Sequence, residues 1–342
     1  MLAKPTILLI YTGGTIGMVK DYKTAALKVF NFDKLQKNIP ELKLLDCDIT
    51  AISFEDPIDS SNVTPEEWVT IADLIESNYN NYDGFVILHG SDTMSYSASA
   101  LSFMLQNLAK PVVFTGSQLP IGDLRTDAKE NLITAIQIAS LQTESNPVIQ
   151  EVCLYFEYKL YRGNRTTKIS AEQFNAFTSP NYPALAESGV NLRINHDTLL
   201  QGQTSKPLQV IRDFDTNVAI IKIFPGISEK ILHAILSTPG LKGVVLETYG
   251  SGNAPTDAYF LTQLKEAIQK GIIIVNVTQC SGGSVSMGQY ETSTQLKEIG
   301  ILSGYDITTE AAITKLMYLL GQKIAKEEFK TLFETSMCGE MS

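Results

Sequence analysis

Three shortages bound this 342-residue chain before any motif is considered. Cysteine is scarce. Cys47, Cys153, Cys280 and Cys338 lie far apart, form no Cys-x-x-Cys pair, and have no histidine placed to complete a zinc set. That pattern argues against a disulfide framework or a metal centre and fits a reducing cytoplasm. Basic charge is also short: 27 Lys and Arg stand against 37 Asp and Glu, a formal charge of −10 with no basic run. The average field repels a phosphate backbone, so no nucleic-acid partner is expected. Long apolar runs are missing as well. The first, Thr6–Tyr11, is too short for a signal h-region or a membrane span, so neither export nor membrane attachment is expected.

Apolar residues nevertheless make up 44% of the chain and charged ones only 19%, the balance of a globular protein with ample core. Short β-branched runs recur at Thr6–Tyr11, Phe85–His89, Val112–Thr115, Val152–Phe156, Val218–Phe224, Val244–Thr248 and Ile272–Thr278. Runs without polar alternation read as strands buried on both faces. Helical patterns separate them. Thr64-Pro-Glu-Glu67 is a capping box, and Trp68, Ile71, Ala72 and Ile75 then mark one apolar face. Further helices are expected at Met94–Leu108, Ala128–Leu141, Ser228–Leu236, Asp257–Lys270 and Thr309–Leu320. The alternation predicts an α/β fold of two α/β domains, each with a parallel or mostly parallel sheet. From about Thr178 to Thr216 the periodicity lapses into a polar connector with room for a hairpin. The division expected is a larger N-terminal catalytic domain at 1–190, a linker at 191–216 and a smaller C-terminal domain at 217–342.

In open parallel sheets the ligand crevice lies beyond the carboxyl ends of the strands. Here those ends carry hydroxyls, glycines and acids: Tyr11-Thr-Gly-Gly-Thr-Ile-Gly17, His89-Gly-Ser-Asp-Thr93 and Thr115-Gly-Ser-Gln118. The first is neither a dinucleotide fingerprint nor a P-loop, since it has the wrong glycine spacing and no lysine. Its paired glycines either form a plain turn or let the backbone approach a small ligand while presenting Thr15. Asp92 reads on local evidence first as a helix cap and second as a carboxylate for a substrate ammonium. His89 is the histidine beside this chemistry, and a structural role suits it better than that of a base. Tyr161-Arg-Gly-Asn-Arg-Thr-Thr-Lys168 gathers donors, and a desolvated lysine near a hydroxyl and an acid is a candidate base.

Taken together, Thr12-Gly-Gly-Thr-Ile-Gly17, Asp59-Ser-Ser61, His89-Gly-Ser-Asp-Thr-Met94, Asn164-Arg-Thr-Thr-Lys168 and Tyr249-Gly-Ser-Gly-Asn253 resemble the ordered signatures of bacterial-type L-asparaginases of the cytoplasmic type I branch. The resemblance spans essentially the whole chain. It implies hydrolysis of L-asparagine to L-aspartate and ammonia, without cofactor or metal, through an acyl-enzyme on a threonine. Thr15 matches the nucleophile. Ser91, Asp92 and Lys168 match the proton-transfer triad, while Asp59, Ser60 and Ser61 match the segment that, with Ser91 and Asp92, binds the substrate's α-carboxylate and ammonium. Asn253 matches a residue reaching a neighbouring subunit's site, which implies a homodimer or homotetramer. The chemistry agrees: a threonine hydroxyl needs its proton removed, and glycine N–H groups are candidate donors to the developing oxyanion.

The chain departs from that pattern at three places. Ser91 stands where the family most often has threonine, which keeps the hydroxyl and loses the methyl that stiffens χ1. Met18–Val29 is the expected lid, yet its Tyr22 does not align with the lid tyrosine of relatives. Thr167 and Cys280 match residues lining an allosteric asparagine site, but Glu247 falls where that site has arginine. Alternative expectations are a glutamine-preferring amidohydrolase, an amidotransferase subunit of the same fold, or a non-catalytic asparagine or aspartate sensor.

Overall fold

The structure is a computed structural model of the chain and describes residues 4–17, 19–20, 27–28, 39–144, 146–202, 206–288, 291–322 and 324–342. Five parallel strands organise its N-terminal part. In chain order they are β1 (Thr6–Gly13), β2 (Asp48–Ile58), β3 (Gly84–Leu88), β4 (Val112–Thr115) and β5 (Val152–Phe156). They lie side by side as β2-β1-β3-β4-β5. Every residue of β3, β4 and β5 is buried, which is why these segments show as unbroken apolar runs. Beyond β5 the sheet turns antiparallel through β6 (Lys159–Arg162), β7 (Ala186–Glu187) and β8 (Arg193–Ile194). The β5–β6 turn places Glu157 and Tyr158 at φ 44° and 69°, the left-handed pair that a two-residue hairpin requires.

β2 escapes a reading that looks for apolar runs because it is an edge strand whose half-buried and exposed residues are interleaved. Its register against β1 is regular from Thr6 opposite Asp48 to Tyr11 opposite Ser53, then jumps so that Gly13 faces Ile58. The extra residues bulge out and carry the chain after Ile58 to the end of β1. The Gly14 N–H seals the junction on the Ile58 carbonyl at 3.2 Å.

Among the described residues three α-helices serve this sheet. In α1 (Pro65–Asn78) the expected face of Trp68, Ile71, Ala72 and Ile75 is buried, and the Glu67 carboxylate accepts from the Thr64 N–H at 2.7 Å. α2 (Met94–Met104) buries nearly all its residues, and two of its serines satisfy their hydroxyls on the helix itself, Ser99 on the Ser95 carbonyl at 2.7 Å and Ser102 on the Ala98 carbonyl at 2.8 Å. It ends earlier than its apolar pattern suggests, because Leu105 and Gln106 leave the helix to pair with Val210 and Gln209. α3 (Ala128–Ala139) packs Leu132, Ala135, Ile136 and Ile138 into a core that includes Ile7, Leu9, Val86, Val113 and Tyr155.

The chain divides into two compact units, Met1–Arg212 and Asp213–Ser342. The segment 191–216 is therefore largely ordered within the first: Arg193–Ile194 closes a hairpin with Ala186–Glu187, and Gln209–Val210 pairs with Leu105–Gln106. The second unit holds a four-stranded parallel sheet, β9 (Val218–Lys222), β10 (Gly243–Thr248), β11 (Ile273–Thr278) and β12 (Leu302–Ser303), in sequential order. The helices expected there appear as α4 (Glu229–Leu236), α5 (Ala258–Gln269) and α7 (Thr309–Gly321), with α6 (Glu291–Glu298) between them in sequence and α8 (Lys326–Glu334) after. Its core joins Ile221, Leu232, Val244, Leu246, Phe260, Leu264 and Ile274. Behind α8 the tail is held by a fully buried ion pair, Lys315 Nζ to Glu340 Oε1 at 2.5 Å, completed by the Phe333 and Thr335 carbonyls. Among the described residues no helix is long and apolar enough to cross a membrane.

Candidate active site

The strand order of the larger unit reverses at β1. The chain passes from β1 to β2 on one side and continues with β3 on the other, so a crevice opens beyond the carboxyl ends of β1 and β3. The residues after β1 turn at once, with Gly14 at φ +83° followed by the short helical turn Thr15–Gly17. A Cβ on Gly14 would lie 2.5 Å from the Gly90 backbone, and one on Gly90 would lie 2.4 Å from the Ser60 Oγ. Only glycine permits this stacking. It brings the segments carrying Thr15, Ser91 and Ser60 together at one end of the sheet.

Each segment is then pinned. Asp59 caps the turn after β2, its Oδ1 accepting the Ser61 N–H at 3.0 Å and the Ser61 hydroxyl at 2.9 Å. The Ser61 N–H, followed by its hydroxyl, lowers the Asp59 carboxyl below its ordinary value. Ser60 is buried and its carbonyl accepts from the Thr93 hydroxyl at 2.7 Å. Thr93, the residue before α2, makes no side-chain cap, and Asp92 points elsewhere. Asp92 Oδ1 receives Lys168 Nζ at 2.7 Å, and the same ammonium donates to Ser91 Oγ at 2.8 Å. The cap reading of Asp92 thus gives way to an ion pair.

Lys168 reaches this point because its approach is rigid. Gly163–Arg165 forms a buried turn after β6, and the Thr166 hydroxyl bonds the Gly163 carbonyl at 2.7 Å and the α2 serine Ser95 at 2.9 Å. Thr167 and Lys168 pair with Thr178 and Phe177. Upstream, buried Arg162 joins Glu151 at 2.6 Å and lies over the Tyr182 ring. What reads in the sequence as a polar loop is a fixed rod ending in a lysine whose side chain is only 18% exposed.

His89 has the structural role expected of it. Its Nδ1 lies 2.7 Å from the Gly90 carbonyl and its Nε2 3.0 Å from the Ser97 hydroxyl, which also accepts the Trp68 indole N–H at 3.0 Å. Complete burial drives its pKa down to about 4. The native ring therefore refuses a proton that the unfolded chain takes up below about 6.5. Its contribution to stability is intact above pH 6.5 and drains as pH falls toward 4, by about 3 kcal/mol in all. In an NMR titration the His89 ring carbons should still show the neutral form at pH 5.

Two expected details change. The Gly14 N–H is spent on Ile58, so it is not an oxyanion donor. Gln118, at the end of β4 and given no role by the sequence reading, accepts the Ser91 hydroxyl at 3.2 Å. Thr15 is half-buried at its turn. Of the expected lid, Tyr22 lies outside the described residues, and Val19–Lys20 pairs antiparallel with Leu27–Lys28. Asn253 and Cys280 belong to the smaller unit: Asn253 closes a turn on Tyr249, and Cys280 is exposed beside Thr278.

The sequence matches known families over both units. Residues 6–200 fit the family model for asparaginase, N-terminal, and residues 217–333 that for the glutaminase/asparaginase C-terminal domain. The chain belongs to the asparaginase family. L-asparaginase 1 of Escherichia coli K12 is 42% identical over 343 residues, covering 100% of this chain and 99% of that protein. A 60 kDa lysophospholipase of Mus musculus is also 42% identical, covering 98% of this chain and 62% of its own length. The crystal structure of L-asparaginase I from Vibrio cholerae superposes with TM-score 0.90 at 42% identity, covering 99% of this chain and all of that one. The two α/β units with their parallel sheets are the asparaginase architecture.

Proposed function

We propose that this asparaginase-family protein hydrolyses L-asparagine to L-aspartate and ammonia, with Thr15 as nucleophile. The observation that carries the reading is the ammonium of Lys168 bound at once to Ser91 and Asp92, at the strand end stacked against the Thr15 turn. Thr15 Oγ attacks the side-chain amide carbon while its proton passes to Ser91, the Ser91 proton to Lys168, and one proton of the Lys168 ammonium to the Asp92 carboxylate, a relay that runs in reverse to protonate the leaving nitrogen. The tetrahedral adduct expels ammonia after its nitrogen takes up a proton, leaving an aspartyl ester on Thr15. Water then attacks the ester carbon, and the oxygen of Thr15 regains its proton as aspartate departs.

Substrate binding follows from charge. Asp92, with a side chain 63% exposed, offers a carboxylate to the α-ammonium. The Asp59-Ser-Ser61 segment offers hydroxyl and backbone groups to the α-carboxylate. Asn253 completes a neighbouring subunit's site in a homo-oligomer, and four cysteines that form no disulfide suit a cytoplasmic setting.

Regulation by asparagine is disfavoured by what surrounds Glu247. Its carboxylate accepts the Thr309 hydroxyl at 2.7 Å and lies 3.6 Å from Lys222 Nζ. A ligand carboxylate arriving there would meet a carboxylate whose positive partner is already engaged. Ammonia release from L-asparagine across a concentration series should therefore be hyperbolic. No ammonia from asparagine, despite binding in calorimetry, would overturn the reading and leave a sensor. A sigmoidal curve would overturn only the regulatory part.

A further inference from the structure

Ser91 has no β-methyl, so its side chain is free to visit all three staggered χ1 wells unless something outside it chooses one. Two partners do so. Lys168 Nζ donates to Ser91 Oγ at 2.8 Å, and that hydroxyl donates onward to Gln118 Oε1 at 3.2 Å. The amide of Gln118 is oriented in turn, because its Nε2 donates to the Gln173 carbonyl at 3.1 Å and leaves the oxygen facing Ser91.

The backbone beneath Gln118 is clamped from α3. The N–H groups of Gln118 and Leu119 both donate to the Asp127 carboxylate, at 2.9 and 3.1 Å. Asn131, wholly buried one turn further on, donates to Asp127 Oδ2 at 3.2 Å and to the Gly116 carbonyl at 3.0 Å. Asp127 is 6% exposed and faces the loop, not the crevice residues. The loop after β4 is thus fixed to the start of α3, and its one polar side chain turned toward Ser91 is Gln118.

We propose that Gln118 is a positioning residue that holds the Ser91 hydroxyl in the rotamer serving Lys168, supplying from outside the restraint that a β-methyl would supply from within. The inference rests on the amidohydrolase reading of the site. Gln118 touches Ser91 and acts through it.

The test is a double-mutant cycle with a structural readout. Gln118→Met keeps the volume and removes the acceptor. It should lower kcat on asparagine roughly tenfold, the scale of one lost hydrogen bond, with KM within about twofold. In a Ser91→Thr background, where the methyl restricts χ1, the same change should cost less than about twofold. A crystal structure of Gln118→Met should show Ser91 Oγ divided between two rotamers. Gln118→Asn, which retracts the acceptor by one methylene, gives the same readouts should the methionine variant fold poorly. An equal loss in both backgrounds, or a single unmoved Ser91 rotamer, would overturn the proposal. A native protein that releases no ammonia would contradict the amidohydrolase reading alone, and the rotamer count would still decide the positioning role.

Discussion

Thr15→Ala should abolish turnover of asparagine, lowering kcat at least ~10³-fold, while asparagine still binds within a few-fold of its native affinity. The reasoning is chemical. Without the hydroxyl no acyl-enzyme forms, and water would have to attack an unactivated amide in a site built for a covalent route. Binding survives because the groups assigned to the substrate's charged ends, in Asp59-Ser-Ser61 and Asp92, are untouched. Thr15→Ser should fall between the two, since it keeps the nucleophilic oxygen and loses the methyl that orients it. Steady-state ammonia release and calorimetry on the same preparations separate the two quantities. An alanine variant with native turnover would remove Thr15 from the mechanism.

Lys168→Met should reduce kcat by about 10²–10⁴-fold, the range for removing a proton-transfer group. Methionine preserves the apolar stem and deletes the ammonium that joins Ser91 to Asp92. The fold should survive. Asp92 keeps a side chain 63% exposed, so water replaces the lost partner, and an ion pair that open to solvent is worth at most about 1 kcal/mol. A melting temperature within a few degrees of native, beside the kinetic loss, is the expected pair of results. A collapse in stability would instead make Lys168 a structural anchor.

Much of this arrangement is legible in the sequence because burial on two faces leaves unbroken apolar runs. β4 and β5 coincide with their runs, and the residues directly after β1 and β3 are those the crevice rule singles out. The α1 face was readable for the same reason, its period and its cap agreeing. The edge strand β2 and the antiparallel strands of the larger unit were not. β2 alternates burial along an acidic stretch, and β7 and β8 are two-residue ladders inside a polar segment, so neither carries a pattern of its own. Among the helices of the smaller unit, α6 buries Ser293 and Leu296, too little to show a face in sequence. At the site, Lys168 and Ser91 could be nominated but not joined, since 77 positions separate them and only the turn at Gly163–Arg165 brings them within 2.8 Å. Gln118 stayed silent because its role is a contact across 27 positions.

The most direct test of covalent catalysis at Thr15 is acid quenching of the native protein during turnover of L-asparagine, with peptide mapping by mass spectrometry. An aspartyl ester on the peptide that carries Thr15, absent from Thr15→Ala treated alike, is the expected result. An ester on Ser91 or on any other hydroxyl would contradict it.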